Sequence, residues 1–189
     1  MKGRIVFMEQ KRLKVGIIGC GGIANGKHMP SIKAVNMSDM VAFCDLIEER
    51  AVKAAKEYGV PGAKVYTDYK ELLADPEIDV VHVCTPNRSH AEISIDALHA
   101  GKHVMCEKPA GVYTKQVREM NAEADKHPEL VFGMMFNQRT NCVYRKIKEM
   151  IDGGELGKLK RVNWIITDWY RTQFYYDSGA WRATWDGEG

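Results

Sequence analysis

The 189-residue sequence has no CxxC pair, and its five cysteines, Cys20, Cys44, Cys84, Cys106 and Cys142, are odd in number. That excludes a disulfide framework and a zinc site of the usual cysteine spacing. Four of the five end apolar, strand-like runs, so they read as small buried hydrophobes in a reducing cytoplasm. No apolar run approaches the roughly 20 residues of a membrane span. The basic stretch Met1–Lys14 lacks a long apolar centre, so it reads as a ragged terminus and not as a secretory signal. Neither charge sign dominates: 27 Lys and Arg against 25 Asp and Glu leave +2, too little to argue for a nucleic-acid or membrane-surface partner. Repeats and low-complexity tracts are also missing. His28, His82, His99, His103 and His127 show no metal-ligand spacing. His99 and His103 are four apart, but Gly101 stands between them at a predicted helix end, and no metal site is expected.

With 45% apolar and 28% charged residues, the chain can bury a core. Its length suits one ordinary domain and part of a second. Short apolar runs alternate with helical stretches from Leu13 to Phe136. Strands are predicted at 13–18, 40–44, 64–66, 79–84, 103–106 and 130–136. Helices are predicted at 24–35, with Pro30 as a kink point, and at 48–58, 69–74, 89–100 and 114–126. This order implies a doubly wound α/β domain of Rossmann type, with parallel strands, helices on both faces and right-handed crossovers. The near-continuous apolar strands suit a sheet covered on both sides. We place this dinucleotide-binding domain at residues 1–136.

The pattern changes after Phe136. Residues 142–151 read as one more helix, ended by Gly153-Gly154. Leu159 to Tyr170 reads as a long strand with one buried face, carrying Val162, Trp164, Ile166 and Trp169, of the kind found in an antiparallel sheet. Residues 137–189 therefore look like the beginning of an incomplete α+β domain for substrate and oligomer contacts.

Three groups of residues carry chemistry. Gly19-Cys20-Gly21-Gly22-Ile23-Ala24 is a G-x-G-x-x-A turn between a predicted strand and a predicted helix. Glycines there permit a tight turn and let the backbone approach a pyrophosphate, while the helix N-terminus offers free N–H groups. A plain strand-to-helix turn is the alternative. Asp45 ends the second strand, twenty-one positions after Ala24, the distance at which an acid meets the adenosine ribose hydroxyls. A carboxylate there repels a 2′-phosphate, and Leu46 follows instead of an arginine, so NAD is expected over NADP. Asp45 is also a possible N-cap of the next helix. The third group is a pair of segments, each after a parallel strand: Thr85-Pro86-Asn87-Arg88-Ser89-His90 and Glu107-Lys108-Pro109.

A T-P-N-x-x-H segment and an E-K-P segment in this order, behind the glycine turn and Asp45, resemble the Gfo/Idh/MocA family of glucose–fructose oxidoreductase-like and inositol dehydrogenase-like enzymes. Asn137-Gln138-Arg139 and Asp152-Gly153-Gly154-Glu155-Leu156-Gly157 extend the likeness, which runs from Leu13 to about Gly157. The resemblance implies that Gly19, Gly21, Gly22, Ile23, Ala24 and Asp45 hold NAD. It implies that Thr85, Pro86, Asn87 and His90 line the nicotinamide side, that Glu107 and Lys108 sit by the ring, and that Lys108 is catalytic. A lysine ammonium can hydrogen-bond the substrate oxygen whose proton moves with the hydride. Read alone, Lys108 is a surface lysine before a proline, and His90 a histidine capping a turn.

Trp181-Arg182 matches a pair that in this family belongs to the cofactor site and precedes an aspartate and a histidine completing the catalytic group. Those two fall beyond Gly189, so the chain is expected to be a truncated one, inactive alone and homo-oligomeric as a whole protein. The function implied is NAD-dependent oxidation of a secondary alcohol of a sugar, inositol or related polyol. The sequence leaves open redox-assisted glycoside cleavage, a non-catalytic NAD-binding module, and an α/β domain whose glycines are only turns.

Overall fold

The computed structural model describes residues 12–168 and 170–188, so residues 1–11 of the basic stretch, Trp169 and Gly189 lie outside the described residues. Six parallel strands, β1 (Leu13–Ile18), β2 (Ser38–Cys44), β3 (Lys64–Tyr66), β4 (Val80–Val83), β5 (His103–Cys106) and β6 (Phe132–Met134), form one sheet in the order β3-β2-β1-β4-β5-β6. The order reverses between β1 and β4, the doubly wound arrangement that opens a crevice at the carboxyl ends of the strands.

Side-chain alternation along each strand divides the core into two layers. Val15, Ile17, Met40 and Phe43 face one side with Ala24, Met29, Ala51 and Ala54. Ile18, Ala42, Val81, Val83 and Val104 face the other with Leu72, Ile93, Ala97 and Leu98. The helices supplying these partners are α1 (Met29–Val35), α2 (Glu48–Tyr58), α3 (Tyr69–Ala74) and α4 (His90–His99). Phe43 and Ile17 are fully buried, a gain of about 1.5–3 kcal/mol for each such side chain. Helix α5 (Thr114–Ala124) packs beside α4. Cys20, Cys44, Cys84 and Cys106 are buried and Cys142 is exposed, all with free thiols. Burial pushes the Cys20 and Cys44 thiols up to about 12, which removes thiolate reactivity at neutral pH.

Two sequence expectations are corrected here. The first helix is not uniform: residues Ala24–His28 form a wider π turn, with the Met29 amide bonded to Ala24 O, before α1 begins. Pro30 sits in the first turn of α1. It has no N–H to continue the ladder, and its ring needs room, so the irregularity falls just ahead of it. The second correction is larger. Residues 158–168 and 170–172 contain no strand. Beyond α6 (Cys142–Asp152) the described chain has only α7 (Gln173–Asp177) and α8 (Trp185–Glu188). A strand exists only through hydrogen bonds to a neighbour, and no described segment pairs with this one. Val162, Trp164, Ile165 and Ile166 are all more than half exposed, so the apolar alternation sorts nothing into a core.

No helix among the described residues is long and apolar enough to cross a membrane.

Candidate functional site

The loops after β1, β2, β4 and β5 leave the same edge of a parallel sheet, and they bring together every motif residue up to Lys108. Gly19 starts the first loop with φ +91°, and its amide donates to Cys44 O at 2.8 Å. A Cβ there would lie 2.8 Å from the backbone of Cys84. The close approach of the β1 and β4 loops therefore requires glycine. Gly21 and Gly22 differ: a Cβ on either would meet nothing within 4 Å. Their backbone borders open space at the start of a helical segment, where a pyrophosphate could approach the amides. Ile23 is exposed and Ala24 is fully buried against the sheet.

Asp45 spans the first and second loops. Its Oδ2 accepts from the Cys20 amide at 2.9 Å and its Oδ1 from the Ile47 amide at 2.9 Å. Two amides orient the carboxylate at the end of β2, with lone pairs left for further donors. Helix α2 is capped at Ile47 with no side-chain bond, so Asp45 is not its N-cap.

In the third loop, Thr85 and Pro86 lead into a single 3-10 turn, Asn87–Ser89, ahead of α4. Ser89 Oγ donates to Thr85 Oγ1 at 2.9 Å. His90 is 1% exposed, and its ring nitrogens lie 2.7 Å from Thr85 O and 2.7 Å from Pro109 O. Its ring is thereby spent on joining the third loop to the fourth.

The fourth loop contains a buried network that the sequence alone did not reveal. Glu107 is buried, and its Oε1 lies 2.8 Å from His28 Nε2. Its Oε2 accepts the Lys108 amide at 3.0 Å. His28 Nδ1 lies 3.0 Å from His82 Nδ1. A carboxylate only accepts, so His28 Nε2–H donates to Glu107, and at the His28–His82 contact one Nδ1 donates and the other accepts. Burial would raise the Glu107 carboxyl, but the His28 bond and the neighbouring Lys108 outweigh it and hold it below the usual range. Burial, helped by His28, lowers His82 to about 4. The members come from residues 28, 82 and 107, and no local spacing signals such a contact.

A pH dependence follows. An unfolded histidine titrates near 6.5, so between about pH 6.5 and 4 the unfolded chain binds a proton that folded His82 refuses. Stability from this residue is present in full above pH 6.5 and is lost as pH falls toward 4, by at most about 3 kcal/mol. Urea unfolding at pH 7 and 4.5 should show the drop, and His82→Val should flatten it; an equal drop in the variant rules His82 out as its source.

Lys108 is exposed, and among the described residues its ammonium has no hydrogen-bonding partner. The Trp181-Arg182 pair lies in the tail, where Arg182 Nη1 donates to Tyr175 OH at 2.6 Å and its guanidinium stacks on Tyr175 and Trp181. The tail reaches the third loop through an ion pair between Arg88 and Asp186.

Comparison with known proteins fits this geometry. Residues 13–134 match the family described as an oxidoreductase family with an NAD-binding Rossmann fold. Inositol 2-dehydrogenase of Salmonella paratyphi B is 33% identical over 146 residues, which are 77% of this chain and 43% of that protein. D-glucoside 3-dehydrogenase of Escherichia coli is 37% identical over 152 residues, 80% of this chain and 42% of that protein. The crystal structure of scyllo-inositol dehydrogenase from Lactobacillus casei with NAD(H) and scyllo-inositol superposes with a TM-score of 0.71 at 30% identity, covering 78% of this chain and 43% of that one. The chain thus spans less than half the length of these relatives.

Proposed function

This chain belongs to the Gfo/Idh/MocA oxidoreductase family, whose NAD-binding Rossmann domain it contains, and from that membership we propose that it binds NAD across the β1–β4 crevice and serves oxidation of a secondary alcohol on a sugar, inositol or related polyol. One observation carries the proposal: the glycine turn, the Asp45 carboxylate and the Lys108 loop meet at one sheet edge. The exposed amides around Gly21 and Gly22 suit a pyrophosphate at a helix N-terminus. Asp45, preset by the amides of Cys20 and Ile47, accepts from ribose hydroxyls and disfavours a 2′-phosphate. Thr85, Pro86 and Asn87 line the third side, with His90 holding their loop against the fourth. Trp181 and Arg182 would approach the cofactor from the tail, whose Asp186 pairs with Arg88 of the third loop.

Bound NAD supplies the hydride acceptor. Lys108, exposed beside the crevice, would hydrogen-bond the substrate hydroxyl and, in its neutral amine form, take the hydroxyl proton to become the ammonium as the carbon is oxidised. Glu107 positions Lys108 by accepting its amide, and His28 fixes Glu107 in turn. Assignment to inositols and sugars rests on what the relatives are named for.

Titration with NADH and NADPH, followed by nicotinamide fluorescence, tests the cofactor. NADH should bind more tightly, and Asp45→Ala should weaken it by roughly 1–3 kcal/mol, about 5- to 150-fold. Tighter NADPH binding would remove Asp45 from its role. NADH binding without turnover on any polyol, in the protein that carries this domain, would favour the non-catalytic module.

A further inference from the structure

The opposite edge of the sheet holds a second cluster. Helix α4 leaves the cofactor loops at His90 and runs back to His99. Helix α5 packs beside it and ends near Glu123, and His127 lies one turn beyond. Glu123 Oε1 is 2.9 Å from His99 Nε2 and 3.2 Å from His127 Nε2. We propose that His99, Glu123 and His127 form a site for a divalent transition cation of the zinc class, pinning the ends of α4 and α5 together.

The geometry is close to that of a filled site. One ligand atom from each residue lies within 4.8 Å of the other two. A cation midway between the two histidine nitrogens would then sit at most about 2.4 Å from each, against about 2.0–2.1 Å for a zinc–imidazole bond. Small side-chain rotations close the difference. Two imidazoles and one carboxylate, with water in the fourth position, make a common zinc donor set. A glutamate carboxylate is charged at neutral pH. Lys126 takes Oε2 at 2.8 Å and leaves Oε1 to the ion.

A second observation points to a ligand. His127 Nδ1 faces Glu129 Oε1 at 3.4 Å. A carboxylate on the far nitrogen of a histidine fixes the tautomer whose Nε2 lone pair faces the metal. Cation binding shifts the Nε2 proton of each histidine to its own Nδ1, in His99 toward solvent and in His127 toward Glu129, which accepts it as a hydrogen bond. No proton leaves the cluster if both histidines are neutral. The sequence concealed the site because His99 comes from another helix, and only Glu123 and His127 are four apart.

The test uses the whole 189-residue chain, stripped of metal. Titration with zinc should show one site, and thermal denaturation should shift upward with zinc. His99→Gln and Glu123→Gln should each weaken uptake at least tenfold while NADH binding stays unchanged. Cobalt(II) should give visible bands without the sulfur charge-transfer absorption that Cys142 would produce. On the unaltered protein, long-range proton–nitrogen spectra should show the ring nitrogens of His99 and His127 moving with zinc and those of His28 staying fixed. Absence of uptake, uptake undiminished in the variants, sulfur charge-transfer bands, or unmoved His99 and His127 signals would each overturn the proposal.

Discussion

Gly19→Val is expected to lower the unfolding free energy by about 2–5 kcal/mol and to reduce NADH affinity by at least tenfold. Two costs add. A β-branched residue at φ +91° pays about 1–2 kcal/mol for the left-handed backbone. Its Cβ would also lie 2.8 Å from the Cys84 backbone, and relieving such overpacking costs about 1–3 kcal/mol. The movement separates the β1 and β4 loops, the two walls of the proposed crevice. Gly21→Ala is the control. Its Cβ meets nothing, so stability should change by only about 0.5 kcal/mol, while NADH affinity falls because the methyl projects into space needed by the phosphates. Urea unfolding and fluorescence titration read both quantities. Native NADH affinity in Gly19→Val would mean that the dinucleotide binds elsewhere.

Lys108→Met is expected to cut the rate of polyol oxidation by roughly 100-fold or more, the usual scale for a general acid–base group, and to leave NADH affinity nearly unchanged. Methionine keeps the unbranched stem, one atom shorter, and removes the charge. Lys108 is exposed, and its amide bond to Glu107 survives the change, so folding should be unaffected. The assay belongs in the protein that carries this domain, with inositols and sugars as substrates. A positioning role would appear differently: His28→Ala should reduce the rate through displacement of Glu107 and should also alter its pH profile. An unchanged rate in Lys108→Met would reduce the residue to a surface lysine.

The central fold was legible because period and punctuation agreed. Helix α2 and strands β1, β3 and β5 begin and end at the residues expected, 48–58, 13–18, 64–66 and 103–106. Each is a long periodic stretch or an apolar run closed by glycine or polar residues, so local preference and burial favour the same state. Strand β6 covers only Phe132–Met134, against an expected 130–136. It is an edge strand, and the neighbour β5 offers partners to only three residues. The expected strand at 159–170 failed for the same reason in stronger form, since alternating apolar residues make a strand only where another backbone accepts their hydrogen bonds.

Side-chain roles divide along a similar line. The glycine turn, Asp45 and the two loop motifs could be read from spacing, because each is a short segment next to its own strand. The sequence by itself determined the Rossmann class, the family and the identity of these loops. Only the tertiary structure decided that Glu107 faces inward to His28 and His82, that His90 bridges two loops, and that His99 meets Glu123 and His127. Those contacts join residues up to 79 positions apart. Hydrogen bonds of a few ångströms are set by how strands and helices stack, which no local pattern along the chain encodes.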